Sequence, residues 1–373
     1  MSLTLLEGNE AVARGAVEAG CRFFAGYPIT PATTILNAML SLLPPIGGIC
    51  LQGEDEIASI GACLGASMAG LKVMTATSGP GISLYSEQIS FAVGSEIPIV
   101  IVDVQRLGPS TGSATRGADG DINFLRWGNS GGIPVIVLAP VNVADCFTLT
   151  VQAFNLAEQF RCPVFVASNK EIAMTRESVD LEALEIPAPA DRTAPPDDRP
   201  FLPFQVREGR PVPDFLPIGG EVPVRQTSST HGPNGYITTD HNEIGEMIDR
   251  LKTKILSAVD EISYYDSYAA PNAETLIISY GVSSRAARAV FNELKTTGHP
   301  VSLLVLKTLW PVPESVIQRA ALDVKRVLVV EMNLGQYVRE ISRILPAKPI
   351  ELLTQMDGRL ITPQAIKEKI VNG

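Results

Sequence analysis

ICLQGEDEIASIGACLGASMAGLKVMTATSGPGI, residues Ile49 to Ile82, is the stretch that decides the fold class. A short apolar run ends in Glu54, Asp55 and Glu56, an Ala/Gly-rich stretch follows, and a second apolar run breaks at Ser78-Gly79-Pro80-Gly81. Ile57, Ile60, Gly61, Leu64, Gly65 and Met68 recur at helical spacing, whereas Lys72 to Thr77 is short and partly β-branched. The order is therefore strand, helix, strand, loop. Small residues at Ala58, Ser59, Gly61, Ala62, Gly65 and Ala66 let a sheet, a cofactor or a second subunit approach the helix, although each Gly costs about 1 kcal/mol of helix propensity. The carboxylates fall where a strand gives way to a helix, the edge at which open α/β sheets place their sites. The plainer alternative is a set of first-turn residues that favour the helix dipole.

Working outward, the opening of the chain repeats that unit. Asn9 is expected to cap a helix from Glu10 to Ala19, which Gly20 ends, and a strand Arg22 to Ala25 enters Tyr27-Pro28-Ile29-Thr30-Pro31. Pro31 suits the first turn of the next helix, with Thr30 as its cap or as a ligand contact. Beyond Gly81 a helix Ser83 to Phe91 and a strand Pro98 to Val104 lead into the polar loop Gln105 to Gly120, which carries Arg106, Ser110, Thr111 and Arg116. Loops of this length are uncommon in compact domains unless functional, and Arg grips a carboxylate bidentately. A solvated loop is the alternative. Strand Pro134 to Leu138, helix Val143 to Phe160 and strand Pro163 to Val166 complete a βα series over residues 1–185, read as a parallel sheet covered on both faces. Dinucleotide and Walker-type phosphate fingerprints are both missing.

Residues 186–241 are rich in proline, from Pro187 to Pro223, and Asp191, Asp197 and Asp198 keep the stretch wet, so a linker or an arm laid over a neighbouring surface is expected. A connecting helix, Asn242 to Tyr264, lies within residues 242–272. Residues 273–373 read as a smaller α/β domain with strands Thr275 to Ser279, Val301 to Val305, Val327 to Val330 and Ile350 to Leu353. Ser283 or Ser284 is the expected cap of a helix through Leu294, Lys307 to Pro313 a tight loop, and Trp310 a core or domain contact.

A formal charge of −10 without a basic run excludes a nucleic-acid binder. Apolar runs such as Ile97 to Val104 are too short to span a membrane, and without a basic-then-apolar leader the expected location is cytoplasmic. The five cysteines, Cys21, Cys50, Cys63, Cys146 and Cys162, form no close pair, so no metal site is expected in this chain.

Tyr27-Pro28-Ile29-Thr30-Pro31, Gly53-Glu54-Asp55-Glu56-Ile57-Ala58, Thr75 to Gly81 and Gly108-Pro109-Ser110-Thr111-Gly112 follow one another in order. Together they resemble the alpha subunit of the 2-oxoacid:ferredoxin oxidoreductases, and Leu309-Trp310-Pro311, Val330 to Asn333 and Gly335-Gln336 resemble its second domain. The resemblance implies a thiamine-diphosphate pyrimidine-binding domain over residues 1–185, followed by a transketolase C-terminal-like domain. It also implies chemistry divided between chains. A beta subunit would carry the diphosphate site, Mg2+, a [4Fe–4S] cluster and the main coenzyme A contacts, with gamma and ferredoxin-like delta subunits as further partners and ferredoxin as electron acceptor. Ala118-Asp119-Gly120 lacks the first Gly of the Gly-Asp-Gly diphosphate signature, in keeping with that division.

By the same resemblance, Glu56 matches the cofactor-activating glutamate, with Glu54 as its competitor, and Thr30 the threonine that touches substrate and cofactor. Arg116 matches the arginine that holds the 2-oxoacid carboxylate. Arg106, Ser110 and Thr111 are secondary substrate candidates, and Pro28, Ile29, Ser78 and Gly79 complete the cofactor set. The subfamily resembled is 2-oxoglutarate oxidation, with pyruvate or branched-chain 2-oxoacids as alternatives. Outside the family, a thiamine-dependent transketolase or decarboxylase, or a noncatalytic scaffold, are the competing classes.

Overall fold

The computed structural model describes residues 3–196, 200–295 and 299–372; Asp197 and Asp198 lie outside the described residues. Seven strands form the larger sheet in the order Thr308–Trp310, Ile136–Leu138, Pro163–Asn169, Ile99–Gln105, Val73–Thr77, Phe23–Gly26, Ile49–Gln52. Every neighbouring pair is parallel except the first. Side chains alternate across the sheet along Ile99–Gln105. Val100, Val102 and Val104 join one core with Val12, Ile35 and Phe154, whereas Ile99 and Ile101 join another with Ile60, Leu64 and Ile89. Helices Gly8–Glu18, Thr33–Leu42 and Val143–Phe160 therefore cover one face, and Glu56–Met68 and Ser86–Gly94 the other. Because Phe23–Gly26 sits between Ile49–Gln52 and Val73–Thr77, the chain runs outward from it in both directions. Strand-order reversals of this kind are where open α/β sheets take ligands, at the carboxyl end of the central strand.

The second sheet has the order Ile350–Thr354, Arg326–Glu331, Thr275–Tyr280, Val301–Leu306, Tyr265–Tyr268, parallel except for the last pair. Thr308–Trp310, expected within a tight loop, instead pairs antiparallel with Ile136–Leu138 of the first sheet. Trp310 is buried there and meets the Tyr337 ring edge-on at 5.7 Å. Three residues between turns carry no readable period, so this bridge between the sheets was not visible in the sequence. The short pair Leu3–Glu7 with Arg176–Asp180 and the helices Ile122–Trp127 and Pro363–Asn372 are likewise additions. The connecting helix is shorter than expected, His241–Leu256, and Asp240 caps it by accepting from the amides of Asn242 and Glu243.

Among the described residues of 186–240 there is no helix and no strand beyond isolated bridges, as the prolines dictate. The arm is nonetheless fixed to the first sheet's helices. Arg192 pairs with Glu158 at 2.5 Å, donates to the carbonyls of Ser67 and Leu71, and lies over the Phe215 ring. Arg161 donates to the carbonyls of Pro203, Pro213 and Asp214. Beneath the arm the fully buried Glu96 pairs with Arg250 at 2.7 Å and Lys254 at 2.8 Å. Burial alone would raise the Glu96 carboxyl, but the Lys254 and Arg250 charges outweigh it and bring it down to about 2. Stability contributed by a carboxyl lowered in this way is fully present above the ordinary glutamate range and is lost as pH falls through the folded value.

Glu96→Gln is expected to cost about 3–5 kcal/mol, because the buried Lys254 and the half-buried Arg250 lose their partner. Thermal unfolding should show a large loss near neutral pH that narrows towards about pH 3, where the wild-type carboxyl itself begins to protonate. Equal melting temperatures near neutrality would contradict this reading of the cluster.

Candidate cofactor and substrate site

Strands Phe23–Gly26, Ile49–Gln52, Val73–Thr77 and Ile99–Gln105 release Tyr27 to Pro31, Gly53 to Glu56, Ser78-Gly79 and Arg106 to Gly120 at one edge of the larger sheet. The structure divides the acidic cluster. Asp55 caps the helix, its carboxylate accepting from the Ala58 amide at 2.7 Å, and Glu54 is exposed, whereas Glu56 is only 7% exposed. Glu56 does stand in the helix's first turn, but it is buried rather than facing water, whereas Asp55 is the N-cap. A Cβ on Gly53 would come 2.2 Å from the Ser59 hydroxyl, which itself donates to the Asp55 carbonyl at 2.8 Å, so only Gly permits this turn.

Glu56 lies against the backbone of Gly81. A Cβ there would come 2.8 Å from Glu56 Oε1 and 2.1 Å from Thr77 Oγ1. The Thr77 hydroxyl there and the Ser78 hydroxyl next in sequence are buried without a hydrogen-bond partner among the described residues. Each such orphan costs about 1–3 kcal/mol unless a ligand or water satisfies it. The single helix expected from Ser83 to Phe91 is two: a short one, Pro80–Leu84, into which Gly79 at φ 45° turns the chain, and Ser86–Gly94 after it.

Arg106 joins three of the four segments. It is 5% exposed, donates from Nη1 to the Thr30 carbonyl at 2.5 Å and from Nη2 to the Thr111 carbonyl at 2.9 Å. A Cβ on Gly79 would touch its stem at 3.4 Å. Burial lowers the proton affinity of this guanidinium, and the Asp121 charge opposes that shift. Both Nη groups are thus engaged with main chain, and Nε is buried without a partner.

Thr30 is exposed, and it does not cap: the following helix is Thr33–Leu42, with Ala32 at the cap position. Pro28 and Ile29 are half-buried. Asn9 does not cap either. Its helix begins at Gly8, and the buried Asn9 amide donates to the Pro31 carbonyl and Thr34 Oγ1, both at 2.8 Å. The residue expected to cap a helix instead anchors the Thr30 loop from below.

The long loop is closed on itself. The Leu107 amide donates to the Arg116 carbonyl and the Ser113 amide to the Leu107 carbonyl, both at 2.8 Å. Gly112 sits at φ 47° where a Cβ would come 1.8 Å from the Leu107 carbonyl oxygen, so no other residue fits. Ser110, Thr111 and Arg116 are exposed on it. Two carboxyls, Asp103 and Asp121, flank this loop and belong to no motif in the sequence. Asp103 is fully buried with neither oxygen in a well-formed hydrogen bond among the described residues, and burial together with the Asp121 charge raises it well above the usual range, against the pull of the Gly79 backbone nearby. Burial raises Asp121 itself to about 6, against the pull of Arg106. A lone carboxyl within the apolar run Ile97 to Val104 was the available signal. Among the described residues, no group of three His, Cys, Asp or Glu could hold a metal ion.

Residues 14–250 match the family described as "Pyruvate flavodoxin/ferredoxin oxidoreductase, thiamine diP-bdg", and residues 273–366 match "Pyruvate:ferredoxin oxidoreductase core domain II". The 2-oxoglutarate synthase subunit KorA of Methanothermobacter marburgensis is 42% identical over 98% of both chains. The ketoisovalerate oxidoreductase subunit VorB of Methanothermobacter thermautotrophicus is 34% identical over 99% of this chain and 97% of its own. Among solved structures, 2-oxoglutarate:ferredoxin oxidoreductase from Magnetococcus marinus, with 2-oxoglutarate, coenzyme A and succinyl-CoA bound, matches with a TM-score of 0.91 at 32% identity. That match covers 99% of this chain, which spans 65% of the solved one. With two consecutive family matches and relatives aligned end to end, the chain belongs to the 2-oxoacid:ferredoxin oxidoreductase family, as an alpha subunit.

Proposed function

We propose that this subunit serves a complex that oxidatively decarboxylates 2-oxoglutarate with coenzyme A, giving succinyl-CoA, carbon dioxide and reduced ferredoxin, or runs the reverse carboxylation. The observation that carries the site reading is the buried Glu56 carboxylate, which meets the Thr77 hydroxyl at Gly81, with the Thr77 and Ser78 hydroxyls both unpartnered among the described residues. That donor and acceptor set fits the aminopyrimidine end of thiamine diphosphate. Glu56 would accept a hydrogen bond from its ring nitrogen, and Pro28, Ile29, Thr30, Ser78 and Gly79 would line the ring. When bound, the cofactor supplies the carbon nucleophile and electron sink that decarboxylation of a 2-oxoacid requires.

This chain's own residues bind and orient. Glu56 holds and releases a proton at its carboxylate in a site shielded from water. Arg116 offers two parallel N–H groups to the carboxylate beside the ketone, with Ser110, Thr111 and the Thr30 hydroxyl as neighbours. Arg106 braces the Thr30 and Thr111 segments. A branched-chain 2-oxoacid is the second reading, supported by the lower likeness to VorB.

Ile49, Leu51, Ile57 and Leu84 are exposed on or beside the edge strand and helix that carry Glu56. An unpaired edge strand rimmed by apolar side chains is the surface a partner chain covers. The beta subunit is the proposed occupant, bringing Mg2+, the diphosphate contacts, the [4Fe–4S] cluster and most of the coenzyme A site. Gamma and delta subunits are further candidates. Among the described residues no helix is long and apolar enough to cross a membrane, and the proposed location is the cytoplasm.

Purified alone, the chain should contain no stable iron and bind thiamine diphosphate weakly in a calorimetric titration. Addition of the beta subunit should restore tight binding. Tight stoichiometric binding by the lone chain would sink the divided site.

A further inference from the structure

In the second sheet, Thr275–Tyr280 lies between Val301–Leu306 and Arg326–Glu331, so the strand order reverses there and the crevice at its carboxyl end is where an open sheet would take a ligand. That crevice is filled by the chain itself. Asp119 and Gly120, from the end of the Arg116 loop, enter it. The Asp119 amide donates to the Met332 carbonyl at 2.8 Å, and Asn333 Nδ2 donates to the Asp119 carbonyl at 3.0 Å. Gln336 Nε2 donates to the Gly120 carbonyl at 2.6 Å, while its Oε1 accepts from the Asn123 amide at 2.9 Å.

The receiving groups are organised from behind. Asn333 Oδ1 accepts from the amides of Gly335 and Gln336, and its Nδ2 also reaches the Tyr280 hydroxyl, which donates to Glu331. Glu331 in turn accepts from the amides of Tyr337 and Val338. Tyr280, Glu331 and Asn333 are buried, so their orientation is set by second-domain groups rather than by solvent.

The same domain reaches Arg116. Gly358, at φ 80°, lies so close beneath it that a Cβ would come 2.9 Å from the Arg116 Cβ, and a Cβ on Gly120 would come 3.1 Å from Met356. The loop is thus held by the second domain at Arg116 and again at Asp119 and Gly120, while its first half is held by Arg106. A guanidinium on an exposed loop keeps a fixed address only if the backbone on both sides is held.

We propose that the crevice of the second domain is the receptor for this loop, and that Asn333 and Gln336 are positioning residues that set where Arg116 meets the substrate carboxylate. The clause about substrate rests on the role given to Arg116 above; the clamp can be read without it.

The test uses the assembled enzyme with Gln336→Met, which removes the contacts to Gly120 at the end of the loop and to Asn123 in the helix that follows it, and Gln336→Glu, which keeps only the acceptor for the Asn123 amide. Hydrogen exchange of the amides of residues 107–121 should quicken about tenfold in Gln336→Met, the scale for two lost hydrogen bonds, and less in Gln336→Glu. Helix Ser283–Leu294 should be unaffected. KM for the 2-oxoacid should rise by about the same factor with KM for coenzyme A unchanged, and the rise should vanish in an Arg116→Met background, because the two residues act through one contact. Unchanged exchange in both variants would overturn the clamp. An equal KM rise with and without Arg116 would overturn the positioning role. If Arg116→Met alone left KM unchanged, the substrate role of Arg116 would fall, and the exchange result would still decide the clamp.

Discussion

Glu56→Gln in the assembled enzyme is expected to slow exchange of the thiamine C2 proton by at least about tenfold, within a range for general acid–base groups that extends to about 10⁴. Glutamine keeps the volume and the hydrogen-bonding outline of the side chain but cannot take up the proton. The helix should survive, since its cap is Asp55 and not Glu56. Glu54→Gln is the matched control, because Glu54 starts the same turn but faces solvent. Exchange measured by proton NMR after acid quench separates the two. Loss in Glu54→Gln with none in Glu56→Gln would move the role by two residues and leave the slot beside Gly81 without its proposed use.

Arg106→Met should cost about 2–5 kcal/mol in transition-state terms, the scale for truncating a buried, hydrogen-bonded charge. As a secondary substrate candidate on the loop, Arg106 would be the group to read the distal carboxylate of 2-oxoglutarate if its guanidinium faced the substrate. Its contacts instead support a brace, since both Nη groups donate to the carbonyls of Thr30 and Thr111. A brace fails for every substrate alike. The expected result is therefore a similar fall in kcat/KM with 2-oxoglutarate, pyruvate and 2-oxoisovalerate, and a fall confined to 2-oxoglutarate would return Arg106 to the role of charge reader.

Local periodicity carried much of the fold. The strand, helix and strand read from Ile49 to Thr77 are Ile49–Gln52, Glu56–Met68 and Val73–Thr77, because a helical repeat and a short β-branched run are distinct patterns within a dozen residues. The meeting of Thr30, Glu56, Gly79 and Arg106 at one edge was also within reach, since parallel strands must present their carboxyl ends together. Pairings across long separations were not. Asn333 meets Asp119 across 214 positions and Asn9 meets Pro31 through a side chain that looks like an ordinary cap. Neither leaves a period or a turn signal, and both depend on packing between elements. Asp103 is a different kind of miss: its burial follows from the covered sheet, but the charge that further raises it comes from Asp121, 18 positions on, against the pull of the Gly79 backbone.

Substrate choice by the complete complex bears most directly on the proposed function. With the beta partner, thiamine diphosphate and Mg2+ supplied, initial rates of coenzyme A-dependent ferredoxin reduction should be compared for 2-oxoglutarate, pyruvate and 2-oxoisovalerate. The expected result is the highest kcat/KM with 2-oxoglutarate and no turnover from either subunit alone. A higher kcat/KM with pyruvate or 2-oxoisovalerate, or turnover that does not depend on thiamine diphosphate, would contradict it.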